Sequence, residues 1–286
     1  YSHGAFLAGL SKAYQRFADD LTLTDRDRLR EAANRAADYL MLLHNAQTGE
    51  IICQYPNRVQ GAESGDGPHN TFEGIWGLLN YAVVFKDLEP ARALDAFNRS
   101  RKSYQWLGNQ GIYYPDQASA FMALVHQYQP TYPVQETLFR TLNDFLREFN
   151  PRQWGRSCGR CIPYFEGLWY CLRTFPDHPD RSRWESLARD FNQQWYQEMM
   201  QRNAFHILPQ GGAREWDNTE DVPPEIYPPY NFYASTQFGT MATDAILLAR
   251  ITGDDSLERM ATGCLNWITG LHPGVPRNST LPAATG

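Results

Sequence analysis

The chain has 286 residues, of which 42 % are hydrophobic and 20 % charged, with a formal net charge of −6. That apolar share supplies a sizeable core and excludes disorder by composition. The acidic balance argues against nucleic acid as a partner, and no apolar run is long enough to span a membrane. A barrel or ring of this length can be a single domain, so one domain over residues 1–286 is expected.

Taken in chain order, the elements read as helices. The first is expected from near residue 3 and the second from near 25, where Leu29, Ala33, Ala36, Leu40 and Leu43 share one stripe. Thr24 is a natural N-cap there, with Asp27 completing a capping-box pattern. The stripe returns in Phe72, Ile75, Trp76, Leu79 and Val83, in a helix from near 70 that Asn70 would cap. Another helix follows from near 90, and then Ala118, Phe121, Met122 and Val125 mark one from near 116. Helices from near 133, 160, 181 and 235 lead to the last, from near 255, with its stripe of Leu257, Met260, Ala261, Cys264, Leu265 and Ile268. Asp255 and Glu258 supply its cap. No strand pattern of comparable strength appears, although short hairpins fit within the loops.

The connections alternate in length. Short ones lie near 21–24, 87–89, 129–132, 176–180 and 252–254, and longer ones near 47–69, 107–115, 150–160 and 202–234. A short turn makes neighbouring helices antiparallel, and repeated hairpins curve into a solenoid or ring. The expected fold is therefore all-α: an α/α toroid of helical hairpins, six-hairpin-like, with the long loops gathered at one end. A closed six-hairpin ring needs twelve helices. The roughly ten read by periodicity leave the ring incomplete, a pair unread, or a segment outside the chain. Small residues on the helices after long loops (Gly74, Gly77, Ala118, Ala120, Gly239, Ala242, Ala245) suit a crowded inner layer.

The five cysteines, Cys53, Cys158, Cys161, Cys171 and Cys264, leave at least one thiol outside any intrachain disulfide set. Cys158 and Cys161 form a lone C-x-x-C, better read as a disulfide or buried thiols than as zinc ligands, so neither metal nor cofactor is expected. Lys12, Lys86 and Lys102 are the only lysines, from genomic base composition or from a use of guanidinium groups against carboxylates. No signal peptide is read at the start, and Asn98 and Asn278 match the glycosylation acceptor pattern.

The long loops carry the candidate chemistry. The first holds Tyr55, Arg58, Glu63, Asp66, His69 and Glu73. Asp66, between glycines, is either a turn aspartate or a group that a ligand can approach closely, and His69 is structural or substrate-facing. The second ends in Tyr113, Tyr114, Pro115 and Asp116, where Asp116 reads as a cap for the following helix. The third holds Trp154, Arg156 and Arg160, followed by Tyr164 and Glu166; its arginines bind an acidic sugar or bridge structural carboxylates. The fourth interleaves Glu215, Trp216, Asp217, Glu220, Asp221 and Glu225 with Tyr227, Tyr230 and Tyr233. It is either a solvated acidic loop or a cleft in which one carboxyl protonates a leaving oxygen while another activates water or attacks the anomeric carbon. Aromatics are 14 % of the chain, enough for a large core and for flat surfaces on which sugar C–H faces stack.

The stretch from Tyr233 through Thr252-Gly-Asp-Asp255, then Cys264-Leu-Asn-Trp-Ile-Thr-Gly-Leu-His-Pro-Gly274, resembles the family 9 glycoside hydrolases. The resemblance implies an (α/α)6 toroid acting on glycosidic bonds. Thr236 stands where that family usually has Asn, and His272 replaces the Asn before Pro. The family's Asp-Ala-x-x-Asp-like segment has no counterpart, and its general acid has none before Gly286, so no catalytic residue carries over.

The reading is therefore a secreted or periplasmic carbohydrate-active enzyme that hydrolyses a poly- or oligosaccharide. Asp66, Asp217, Glu220 and Asp221 are the acid/base candidates. Tyr55, His69, Tyr114, Trp154, Arg156, Arg160, Trp216, Tyr230 and Tyr233 are the substrate-binding candidates. The alternatives are a uronate lyase or sugar epimerase, with an arginine neutralising the substrate carboxylate and His69 or Tyr230 removing a proton, and a non-catalytic glycan- or protein-binding toroid.

Overall fold

The computed structural model describes residues 2–52, 67–149, 162–197 and 234–269. About 78 % of these residues are helical, none forms a strand, and the fold is all-α. In chain order the helices are α1 (Ser2–Phe17), α2 (Leu23–Leu43), α3 (Gly67–Phe85), α4 (Pro90–Asn109), α5 (Pro115–Tyr128), α6 (Gln135–Glu148), α7 (Glu166–Thr174) and α8 (Arg181–Phe191). A π-helical turn (Asn192–Tyr196), α9 (Ala234–Thr252) and α10 (Ser256–Thr269) follow. Among the described residues no helix is long and apolar enough to cross a membrane.

The helices begin close to where the apolar stripes place them, but the caps differ. Thr22, not Thr24, caps α2: its backbone is extended, and its Oγ1 accepts from the Asp25 N–H at 3.2 Å while its hydroxyl donates to the Asp25 carboxylate at 2.7 Å. Asn70 is inside α3, which starts at Gly67. Pro115 takes the first position of α5, so Tyr114 is the N-cap and Asp116 lies within the first turn. At the head of α10, which Asp255 immediately precedes, the Asp254 Oδ1 accepts from the Ser256 N–H at 3.0 Å. The connection expected to be long near 107–115 is short, because α4 continues to Asn109 and closes on Gly111 at φ 70°, with Ile112 N–H donating to the Leu107 carbonyl.

The chain divides into two compact units, Tyr1–Leu142 and Asn143–Gly286. In the first, α3 is buried on every side from Asn70 to Val83 and α5 from Asp116 to His126. A helix apolar all round belongs in an interior. By contrast α2 buries only Ala33, Ala37, Leu40 and Leu43, and its polar face remains in solvent.

Side-chain contacts fix the directions within this unit. Tyr14 meets Phe85 while Gly4 abuts Glu73 and Gly77, so α1 runs parallel to α3. Phe72 lies 5.1 Å from Tyr114 and 6.1 Å from Phe121, centroid to centroid, so α5 is parallel to α3 as well. Helices α2 and α4 run the other way. Arg92 of α4 bonds Asp38 of α2 at 2.8 Å, and Phe97 and Tyr104 of α4 meet Tyr128 and Phe121 of α5 in reversed order. The heads of α1, α3 and α5 therefore share one end. Where α1 crosses α3, a Cβ on Gly77 would lie 2.6 Å from the Gly4 carbonyl oxygen, so glycine is what allows the backbones this close.

The second unit centres on an aromatic cluster. Phe149 lies 5.3 Å from Tyr164, 5.7 Å from Phe165 and 4.9 Å from Phe191. Asp244 of α9 is fully buried and accepts from the Phe165 N–H at 3.1 Å, at the start of α7. Trp184, also fully buried, donates its Nε1–H to Asn143 at 2.9 Å.

Candidate functional site

The long connection entering α3 begins with a fixed hairpin. His44 and Ile51 form a bridge pair, the Asn45 side chain accepts from the N–H groups of Gln47 and Thr48, and Gly49 turns the chain at φ 97°. Ile51 N–H then donates to Thr71 Oγ1 at 3.0 Å, and Lys102 Nζ donates to the Ala46 carbonyl. Both ends of this hairpin are thus tied to helices, one to the head of α3 and one to α4.

At that end of the first unit the interior is polar. Asn70, Thr71 and Glu73 are buried on α3, and Asp116, Gln117 and Ser119 are buried on α5. Glu73 is 4 % exposed and Asp116 6 % exposed, which is unusual for carboxylates, and each has an interaction partner. Asp116 in the first turn of α5 is well placed against the helix dipole, and the Ser119 hydroxyl donates to its backbone carbonyl at 2.7 Å. The Phe72–Tyr114 contact sets the two carboxyl-bearing turns side by side on parallel neighbouring helices. Beside them Tyr114 is half-buried and Tyr113 is 46 % exposed.

His44, at the C-terminus of α2, is buried in the same region. Burial foremost, then the nearby Arg99 and Lys102 charges, holds it below the ordinary imidazole value, so it is neutral at pH 7. In the second unit Tyr196 is wholly buried, and its hydroxyl is pushed well up by burial and then by Asp244 and Tyr164. That group lies deep in the core of the second unit.

Of the acid/base and substrate-binding candidates read from sequence, two lie in the described part. Tyr114 stands at the head of α5 beside Phe72, and His69 is the third residue of α3, not a residue preceding it. Asp66, Asp217, Glu220 and Asp221 lie outside the described residues, as do Tyr55, Trp154, Arg156, Arg160, Trp216, Tyr230 and Tyr233. Cys158 and Cys161 do as well, while Cys171 and Cys264 are free and buried. Two groups of the site are not among the acid/base candidates read from sequence. Glu73 was one reactive group of a loop, and Asp116 was a cap. The local signal for both is that each stands at the start of a helical run that is largely apolar on every face. Among the described residues no group of three or more His, Cys, Asp or Glu side chains is placed to hold a metal ion.

The arrangement offers two carboxyl groups in a desolvated helical end, with tyrosine rings at its edge. No family model, curated protein or solved structure matches the chain.

Proposed function

We propose that this chain is a carbohydrate-active protein of the α/α-toroid kind, acting on glycosidic bonds of a poly- or oligosaccharide at the heads of its interior helices. The observation that carries the reading is the pair of buried carboxylates, Glu73 and Asp116, on parallel neighbours α3 and α5 with Tyr113 exposed beside them. Glycoside cleavage needs one carboxyl to protonate the departing oxygen and a second to activate water or to attack the anomeric carbon. Tyrosine rings at the edge suit the apolar face of a sugar. The acidic aromatic segment around Asp217, Glu220 and Asp221, together with Asp66 just before α3, supplies further acids and ring surfaces in sequence. The resemblance of residues 233–274 to family 9 glycoside hydrolases points to the same class.

The test is a glycan panel read for new reducing ends and for ultraviolet absorbance, run on the protein and on Glu73→Gln, Asp116→Asn, Asp66→Asn, Asp217→Asn, Glu220→Gln and Asp221→Asn. Loss of an acid/base group lowers turnover by about two to four orders of magnitude. Hydrolysis that survives all six changes refutes the assignment of acids. An ultraviolet-absorbing product moves the reading to a lyase. Glycan binding with no turnover moves it to a non-catalytic toroid.

A further inference from the structure

The hairpin after α2 is wedged against two helices. On the α3 side the Ile51 side chain, 1 % exposed, fills the space beside Gly74, and its N–H bonds Thr71. On the α4 side a Cβ at Gly49 would lie 2.6 Å from the Lys102 carbonyl oxygen, so glycine lets the hairpin sit directly on that helix. Lys102 Nζ then holds the Ala46 carbonyl. The turn is closed by Asn45 N–H to the Glu50 carbonyl at 2.8 Å, Gly49 N–H to the Asn45 carbonyl at 2.8 Å and Ile52 N–H to the Leu43 carbonyl at 3.1 Å. Residues Asn45, Ala46, Gln47 and Thr48 are exposed, so the buried part of the hairpin is His44, Gly49 and Ile51. An element with so little buried surface opens locally at far less cost than a helix interior.

His44 is the one ionisable side chain among those three. It is 7 % exposed, and neither ring nitrogen makes a well-formed hydrogen bond, the Arg99 backbone carbonyl being only a loose neighbour. From α4 it faces Arg99, Lys102 and Asp95. Asp95 is the acid of that group, but it is 48 % exposed and already paired with Arg99 at 2.9 Å. On the hairpin itself the ionisable group is Glu50, and on α3 Glu73 stands two residues past Thr71. A neutral imidazole is tolerated in such a place. An imidazolium carries two N–H donors and a charge, and here it would be buried beside two cations.

We propose that the hairpin is an acid-released clasp: uptake of one proton by His44 detaches it from α3 and α4 while the interior helices stay folded. The clasp rests on the first unit alone and does not depend on the carbohydrate reading. An imidazole freed by opening takes up its proton near pH 6.5. The hold of the clasp is therefore complete above about pH 6.5 and is lost as pH falls toward the lower value of the closed form. Each pH unit in that window favours opening by up to about tenfold, which gives a limit of about thirtyfold between pH 7.5 and 5.0.

The experiment is amide hydrogen exchange of the full chain read by mass spectrometry from pH 7.5 to 5.0, with each rate corrected for the intrinsic pH dependence of exchange. The expected result is a fall of about ten- to thirtyfold in the protection of residues 45–52, with residues 118–125 of α5 unchanged. In His44→Gln the protection of 45–52, whatever its level, is the same at both ends of the range. If His44→Gln does not fold, the slope in the parent decides, since one proton gives at most about one decade per pH unit below 6.5 and none above it. Protection of 45–52 that does not change with pH, an equal loss in 118–125, or the same pH dependence in His44→Gln each overturns the proposal.

Discussion

Replacing Gly77 by alanine tests the packing that brings α1 onto α3. In a helix interior, Gly to Ala is ordinarily favourable by roughly 0.5–1 kcal/mol, because the backbone of alanine has less freedom to lose. Gly9 of α1 shows that ordinary case, since a Cβ there meets nothing within 4 Å. At Gly77 the new carbon would stand 2.6 Å from the Gly4 carbonyl oxygen and 2.9 Å from Gly4 Cα, both backbone atoms. Ordinary contact begins near 3.4 Å, so the helices must part by about 0.8 Å, the difference between 3.4 and 2.6 Å. Overpacking of this kind costs about 1–3 kcal/mol. Set against the same propensity gain, Gly77→Ala should end up to about 2.5 kcal/mol less stable than the parent, with Gly9→Ala about 0.5–1 kcal/mol more stable. Urea unfolding followed by circular dichroism reads both as midpoint shifts of opposite sign. A Gly77→Ala midpoint at or above that of Gly9→Ala would show that α1 and α3 do not approach at these residues.

Other consequences can be checked on the same protein. Burial pushes Asp254 up, but hydrogen bonds from Ser256, Asn192 and Gln197 outweigh it and hold the carboxyl below its ordinary value. The charged form is therefore favoured by folding: its contribution is complete above the unfolded carboxylate value near 3.9 and disappears as pH falls through the lower folded value. Asp254→Asn should lower the urea midpoint at pH 7 and flatten its decline below about pH 4; an unchanged acid slope refutes this role. The thiols of Cys171 and Cys264 are pushed up to about 12 by burial, so both should resist alkylation at pH 8 until denaturant is added, as peptide mass spectrometry would record. Rapid native labelling of either would contradict its placement in the core.

Much of this protein was legible as a pattern. The apolar stripes located the helices because a helix must present one face to its neighbours every three to four residues, whatever the details of its ends. Gly74 and Gly77 stood out as small residues in a large-residue run, and α1 crosses α3 at the second of them. The caps were less legible. Thr22 and Thr24 are equivalent in propensity, and only the extended backbone at Thr22 chooses between them. The connection before α5 looked long because nothing local announces that Gly111 will close α4 with a positive φ.

Composition and periodicity alone determined that the chain is helical, carries apolar stripes along its helices and has a supply of acids and rings in its connections. Only tertiary structure decided which acids leave water. Glu73 and Asp116 are buried because α3 and α5 lie parallel with their heads together, and that neighbourhood joins residues more than forty positions apart. A sequence lists its side chains one after another, whereas desolvation and field depend on what surrounds each in space.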